Sequence, residues 1–414
     1  MTHTIKRDYF WNTLGVLAQN AISPLLLIAV TRLNGVTDSG LFSFAFSLAI
    51  IFWALGIWGG RTYQVSDVKH EFTPRSYVIL RVVLSLVMIV GSIIFCMLND
   101  YEPVKTAVIL ALVLFKAIES IADAVYGILQ VHGHLFITGK SLLLKAVFGF
   151  AVFIAIDIYT KDILLGSLGI VGANLLVLFA YDLPNARKFD KVWVGFSQLT
   201  VFVNEAVIII KRTWPIAIVI LLSMFSLLIP RYFVDSYHDE QIGYFGILAM
   251  PITALGLIIT FILQPNVVRL SQQFSKKYYE KFHAIVKNLL IWAGIIGALI
   301  LIATYFIGTQ ALELVFGIDF SIYKSALIIM VFGAAVNAYV SIYINILTIM
   351  RHFKGQFYVL LFTNIGLVIV SMVFVNTFGL IGAVVLYTLT NLIQAIILSA
   401  VYKRLMRRMI HQRV

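Results

Sequence analysis

LGIVGA at residues 168–173 returns as FGLIGA at 378–383. Each reads as the opening of the last apolar segment in its half of the chain, so the pair marks an internal repeat. A weaker echo lies at the start of the halves. TRLNGVTDSGLFSF at 31–44 matches PRYFVDSYHDEQIGYFGI at 230–247: an arginine leaves one apolar segment and a glycine–aromatic pair opens the next. Both pairs fall at equivalent points of a six-segment unit. Six crossings return a chain to its starting side, so the halves are predicted to be parallel repeats related by an axis along the membrane normal.

The segments are membrane spans because the composition allows little else. Hydrophobic residues make up 61% of the 414 positions and charged residues only 12%, and the mean hydropathy is +0.97. That is more apolar surface than a soluble fold of this length hides. Runs of about 20 apolar residues cross hydrocarbon as helices, which satisfy their own backbone hydrogen bonds. The runs are continuous rather than alternating, which excludes a barrel wall. About twelve spans are predicted, at 11–31, 41–60, 77–98, 105–130, 141–160, 164–183, 213–233, 243–266, 285–308, 324–349, 356–377 and 380–402. The fold class is therefore an all-α polytopic membrane protein of two six-helix lobes, 1–183 and 213–414. The polar stretch 184–212 is a cytoplasmic linker that holds a possible interfacial helix or the start of helix seven. Lys6 and Arg7 precede a first run long enough to span, which reads as an uncleaved helix. The single cysteine, Cys96, excludes an intramolecular disulfide.

Basic residues segregate by loop. With the N-terminus in the cytoplasm, Arg61, Lys69, Arg75, Lys140, Arg187, Lys188, Lys191, Lys211 and Arg212 share one side with Arg269, Lys276, Lys277, Lys281, Lys287, Arg351, Lys354 and the tail KRLMRRMIHQR. The opposite loops are short and lean acidic, with Asp38, Asp100, Glu102, Asp162, Asp235, Asp239 and Glu240. The formal charge of +12 is accordingly a topology signal and a leaflet contact, with no nucleic-acid partner implied. Both termini are expected in the cytoplasm.

Against this background LFKAIESIADAVYG, residues 114–127, stands out, because it puts Lys116, Glu119 and Asp123 inside an apolar run. On a helix the three fall within an arc of about 60°. A charge at mid-bilayer costs about 2.5–3.5 kcal/mol on insertion scales, so that face is expected to look into the bundle. Arg81 and Lys145 on neighbouring helices are available partners. Three readings are compatible with the set: a closed ion-pair network, a coupling-ion or proton site at Glu119 or Asp123, and the basic part of an anion-binding cavity. The corresponding helix of the second half carries Asn337 and Asn345 but no charge.

Arg32 and Arg231 are read as ending helices one and seven at the outer side, and Arg61 and Arg269 as ending helices two and eight at the inner side. Asn12, Gln19, Asn20, Gln264 and Asn266 add neutral hydrogen-bonding groups to the same helices. Arginine suits phosphate, since its planar fork binds two oxygens and stays charged. Five of the eight prolines fall in three helices: Pro24 in helix one, Pro215 and Pro230 bracketing helix seven, and Pro251 and Pro265 in helix eight. They read as hinges for alternating access.

TRLNGVTDSGLFSFAFS, KRTWPIAIVILLSMFSLLIPRYFV leading into DEQIGYFGIL, and the repeated GxxGA openings resemble the polysaccharide-exporter branch of the multidrug/oligosaccharidyl-lipid/polysaccharide superfamily. Within it, length and span number are similar to the Wzx-type O-antigen or capsule repeat-unit flippases. The likeness runs over nearly the whole chain. A usual ending of that family's first helix is Arg-x-Leu-Gly, whereas here Asn34 precedes Gly35. The resemblance implies a flippase in the bacterial inner membrane that moves an undecaprenyl-diphosphate-linked oligosaccharide to the outer leaflet. It also implies a cationic cavity, carried over to Arg32, Arg61, Arg231 and Arg269, and a monomer working beside other polysaccharide-assembly membrane proteins and membrane lipids.

No phosphate loop, metal-ligand cluster or nucleophile constellation stands out, so no catalytic residue, cofactor or metal is assigned. Two rivals were weighed. A multidrug or small-solute antiporter of the same superfamily favours an acidic, aromatic cavity, against the basic lining expected here. A polytopic polymerase or ligase needs a large outer loop, and the outer stretches near 234–241 and 309–323 are short.

Overall fold

Every regular element among the described residues is helical. The computed structural model describes residues 2–67, 71–190 and 199–411. Residues 192–198 of the suggested interfacial segment, Lys69 and Lys191 lie outside the described residues, as does the side chain of Gln264. The chain forms two units, Met1–Ala217 and Ile218–Val414.

The first unit contains α1 (Thr2–Asn34), α2 (Val36–Ile57), α3 (Gly60–Ser66), α4 (Pro74–Leu98), α5 (Pro103–Val131), α6 (Leu135–Thr160) and α7 (Ile163–Val177). A π turn, Leu178–Asp182, carries α7 into α8 (Leu183–Ala186). Then α9 (Leu199–Tyr237) begins on this unit and ends on the next. The second unit continues with α10 (Ile242–Leu248), α11 (Met250–Ser275), α12 (Tyr279–Phe316), α13 (Lys324–Ile349) and α14 (Phe353–His411).

Among the described residues ten stretches are long and apolar enough to cross a membrane on their own. With 29 residues, α5 is an eleventh, set apart only by its charges. The twelfth comes from α14, which is two helices meeting at Gly379 (φ 54°, ψ −137°). The protein is thus a polytopic membrane protein, and its helices behave as lipid demands. On α12 the side chains of Leu299, Ile302, Phe306 and Ile307 are each more than half exposed, a surface that only hydrocarbon makes favourable. The opposite case is α5, which packs against α2, α3, α4, α6 and α7 and is buried along most of its length. Beside it, α1 and α6 approach until backbone meets backbone, since a Cβ on Gly15 or on Gly139 would overlap the other helix's main chain. Small residues allow this in membrane bundles, where close packing replaces the hydrophobic effect.

Several elements differ from their expected form. LGIVGA begins at the sixth residue of α7 rather than opening it. The helix starts at Asp162, whose carboxylate accepts from the backbone N–H groups of Leu164 and Leu165 at 2.8 and 3.2 Å and so satisfies two free donors. FGLIGA instead straddles the break at Gly379. Pro215 and Pro230 lie inside α9 rather than bracketing it, while Pro24 and Pro265 are internal to α1 and α11. Pro251 sits in the first turn of α11, just after Ala249 separates α10 from α11, where a missing N–H costs nothing. Arg61 belongs to α3, beyond the break at Trp58–Gly59, and not to the end of α2.

The helical part of the 184–212 stretch, from Leu199, is the base of α9, which explains why that helix outruns its apolar run. Ala206 and Ile209 pack on Phe72, Tyr77, Leu80 and Leu84. Glu205 accepts from the Thr73 N–H at 3.1 Å and from the Ser76 hydroxyl at the start of α4, where the helix dipole favours an anion. Arg212 pairs with Glu71 at 2.7 Å.

At Gly379 the positive-φ backbone is held by Gln241, whose Oε1 accepts from the Leu380 N–H at 2.8 Å, and an added Cβ would stand 2.7 Å from that oxygen. Gly379→Ala should lose about 1–3 kcal/mol, read as a lower Tm in detergent. Gly172→Ala, with nothing near its Cβ position, should leave Tm unchanged or raise it slightly.

Candidate functional site: a charged network inside the first unit

At 1.5 Å per residue Lys116 lies about 20 Å along α5 from Pro103, close to the middle of the helix. Its neighbours explain how a charge persists there. The Lys116 Nζ donates to Glu119 Oε2 at 2.7 Å, and the rings of Phe115, Phe46 and Trp53 stand 4.7, 5.0 and 5.7 Å from the same nitrogen. A carboxylate and three aromatic faces replace its water. Glu119 also accepts from the Gln19 amide of α1 at 3.3 Å, so this pair ties α5 to α1.

Two turns further on, Asp123 sits between two guanidinium groups. Its Oδ2 is 3.6 Å from Arg81 Nη2 of α4, and its Oδ1 is 3.8 Å from Arg61 Nε of α3. Arg81 is only 2% exposed, whereas Arg61 and Asp123 are 26% and 22% exposed. These separations are ion pairs without hydrogen-bond contact. Arg61 Nη1 and Arg81 Nε are buried and make no hydrogen bond.

The third pair joins α6 to the end of α7. Lys145 Nζ lies 2.6 Å from Asp182 Oδ2 and 3.0 Å from the Tyr126 hydroxyl of α5, which itself lies 2.8 Å from Ser141 Oγ. Asp182 is fully buried, and it occupies the last position of the π turn, whose extra residue redirects the side chains that follow. The carboxylate partner of Lys145 is therefore Asp182, a residue the sequence did not single out, and not an acid of α5. Its signal was weak: one aspartate at the end of an apolar run reads as an interfacial residue. Between the first and third pairs lies a narrow pocket lined by Gln19, Phe115, Glu119, Tyr126, Lys145 and Asn174, with room for about one water molecule.

The remaining expected residues spread more widely. Arg32 is exposed at the end of α1, the end where Asn34 donates to Asp157 of α6 at 2.9 Å. It is therefore at the opposite end of the first unit from Arg61. Arg231 is buried within α9, 5% exposed, with its guanidinium over the Phe245 ring at 5.8 Å, so it neither ends the helix nor snorkels. Arg269 is exposed on α11, six residues before its end. Asn20 and Asn266 donate to carbonyls of their own helices, Val16 O and Ile262 O, and Asn12 is half-buried. Among the described side chains of the polar set, Gln19 alone is brought to the charged network.

Besides the buried Arg231 and Asp235, the second unit joins its helices through uncharged groups. Asn337 of α13 donates to Asn391 of α14 at 2.7 Å. Gln394 donates to Thr363 at 2.9 Å and to Ser226 of α9 at 3.2 Å. Asn345 donates only to Ser341 O of its own helix. Among the described residues no group of side chains is arranged to hold a metal ion.

No family model matches the chain. Over 384 residues it is 21% identical to the capsular polysaccharide biosynthesis protein CapF of Staphylococcus aureus, covering 92% of this chain and 95% of that one. Its fold is that of solved transporters of the MOP superfamily. An inward-facing multidrug resistance MATE family transporter matches with a TM-score of 0.69 at 16% identity, over 96% of this chain and 95% of that one. The lipid II flippase MurJ in an inward closed conformation matches with a TM-score of 0.69 at 14% identity, over 97% and 88%. A MOP superfamily transporter from Pyrococcus furiosus, described by the reverse polarity of its binding pocket, matches with a TM-score of 0.58 at 17% identity, over 99% and 95%.

Removing one member of a buried pair strands the other. Lys145→Met or Asp182→Leu alone should destabilise the protein by about 3–5 kcal/mol, and the Lys145→Met/Asp182→Leu double variant should recover most of that loss. A thermal-unfolding cycle over the three variants reads the coupling. Additive losses would mean that the pair holds nothing together.

Proposed function

We propose that the protein is a flippase that moves a polyprenyl-diphosphate-linked oligosaccharide from the cytoplasmic to the outer leaflet by alternating access. The MOP transporter fold supports transport rather than catalysis, and the likeness to a capsular polysaccharide biosynthesis protein supports a lipid-linked glycan as cargo. The observation that carries the reading is the sign of the charged network around α5. In the charged network of the first unit, four basic side chains, Arg61, Arg81, Lys116 and Lys145, face three carboxylates, and each carboxylate is already met by an internal cation.

That arrangement suits an anionic headgroup. A diphosphate finds unmet guanidinium donors at Arg61, and Arg32, Arg231 and Arg269 are assigned to the same cargo. The sugars are assigned to the Asn/Gln set and the prenyl chain to lipid. A drug-cation antiporter would instead keep a carboxylate available to its cargo, and Glu119, Asp123 and Asp182 are each occupied. Energy is expected from an ion gradient, membrane potential or substrate flux, with Glu119 as the candidate coupling carboxylate at the small pocket.

Flipping is measured with purified protein in liposomes that contain a defined polyprenyl-diphosphate glycan. Arg61→Ala should slow transport at least tenfold, the loss of one charged hydrogen-bonding partner being worth about 1.5–3 kcal/mol. Single alanine variants of Arg32, Arg231 and Arg269 should slow it to a smaller degree. Wild-type rates for all four would remove the phosphate assignment. Glu119→Gln assayed across pH and sodium concentration separates coupling, seen as an altered dependence, from a purely structural pair.

A further inference from the structure

We infer that Asp123 is a built-in counter-anion that competes with the cargo's phosphate for Arg61, so that it sets how readily the headgroup is released. The inference rests on the flippase reading and adds a role for a carboxylate that reading leaves idle.

The geometry at Asp123 is what a displaceable partner requires. An arginine–carboxylate pair built for permanence is bidentate, with N···O near 2.7–2.9 Å; even the single contact of Arg212 with Glu71 closes to 2.7 Å. Asp123 makes no such contact. It stands 3.8 Å from Arg61 and 3.6 Å from Arg81, one carboxylate shared by two guanidinium groups. Arg61 Nη1 and Arg81 Nε are buried without a hydrogen-bond acceptor, so the trio holds more donors than Asp123 satisfies. It also keeps a net positive charge.

The two arginines differ in what they can do. Arg81 is sealed in the unit, 2% exposed, and must keep Asp123 as its counter-ion. Arg61 is 26% exposed and sits on the short helix α3, which starts at the positive-φ Gly60 directly after the positive-φ Gly59. It can exchange Asp123 for an incoming anion while Arg81 stays neutralised. Phosphate then gains a bidentate guanidinium partner, and Asp123 remains beside Arg81 as a competing acceptor that regains Arg61 when the cargo leaves. The two other acids of the network lack this freedom, because Glu119 and Asp182 each hold a lysine at 2.7 and 2.6 Å in largely buried surroundings.

The test uses the full-length protein in detergent with farnesyl diphosphate as probe, followed by flipping of the polyprenyl-diphosphate glycan in liposomes. Asp123→Asn should tighten probe binding about three- to fivefold, the weight of a partly exposed ion pair, and slow turnover at saturating cargo. Arg61→Gln should weaken binding whether residue 123 is Asp or Asn. Because Asp123→Asn strands Arg81, the Arg81→Met/Asp123→Asn double variant, which removes both buried charges, is measured alongside and should show the same tighter binding. Unchanged or weaker binding in both Asp123 variants, with Arg61→Gln still defective, would overturn the competition and leave the flippase reading standing. If Arg61→Gln binds and flips like wild type, the phosphate assignment itself fails.

Discussion

A charge placed in hydrocarbon has to be answered by another charge or by a closed shell of dipoles, and the first unit is built around that demand. Along α5, Lys116, Glu119 and Asp123 are each worth a few kcal/mol of insertion penalty if left facing lipid. The structure meets the penalty by surrounding the helix. Gln19 reaches Glu119 from α1, Arg61 and Arg81 reach Asp123 from α3 and α4, and Tyr126 joins α5 to the Lys145–Asp182 pair of α6 and α7. Electrostatic pairing in low dielectric is steep in distance, so these contacts fix neighbouring helices against α5 more narrowly than side-chain packing alone would.

The second unit solves the same problem with amides and hydroxyls. Asn337, Asn391, Gln394, Ser226 and Thr363 satisfy one another across α9, α13 and α14. Neutral groups of this kind hold helices together at modest strength, near 1 kcal/mol each, and they project no field. Charged pairs do project one when their sum is not zero. The units thus differ in how far they rely on charge: the second buries Arg231 and Asp235 beside its amide and hydroxyl contacts, whereas the network around α5 in the first sums to one positive charge.

Much of this was legible in the chain, and what was not has a physical reason. Period and length gave the spans because hydrocarbon leaves helices little choice, and the shared face of Lys116, Glu119 and Asp123 followed from helical geometry. Arg81 was a foreseeable partner for the same reason of cost. Partner choice beyond that depends on tertiary contact: Lys145 takes Asp182, whose position at the end of an apolar run resembled an ordinary interfacial residue until the π turn brought it inward. Arg231 looked like a helix-end arginine because the apolar run stops there, yet α9 continues to Tyr237 and buries it. Pro251 likewise differs from its expected place inside a helix, since an apolar run does not record where α10 stops and α11 restarts.

The positive surplus has a consequence for how such an interior works. A site whose cations were all free would hold a diphosphate too firmly to let it go, and one whose cations were all tightly paired would not hold it at all. Lys116 and Lys145 are tightly paired, at 2.7 and 2.6 Å, while Arg61 and Arg81 share one carboxylate at longer range. Only the shared pair combines attraction with reversibility. The lysine pairs tie α5 to its neighbours, and on the flippase reading proposed above the looser trio at Asp123 is where the cargo's phosphate enters the balance of charge without taking the bundle apart.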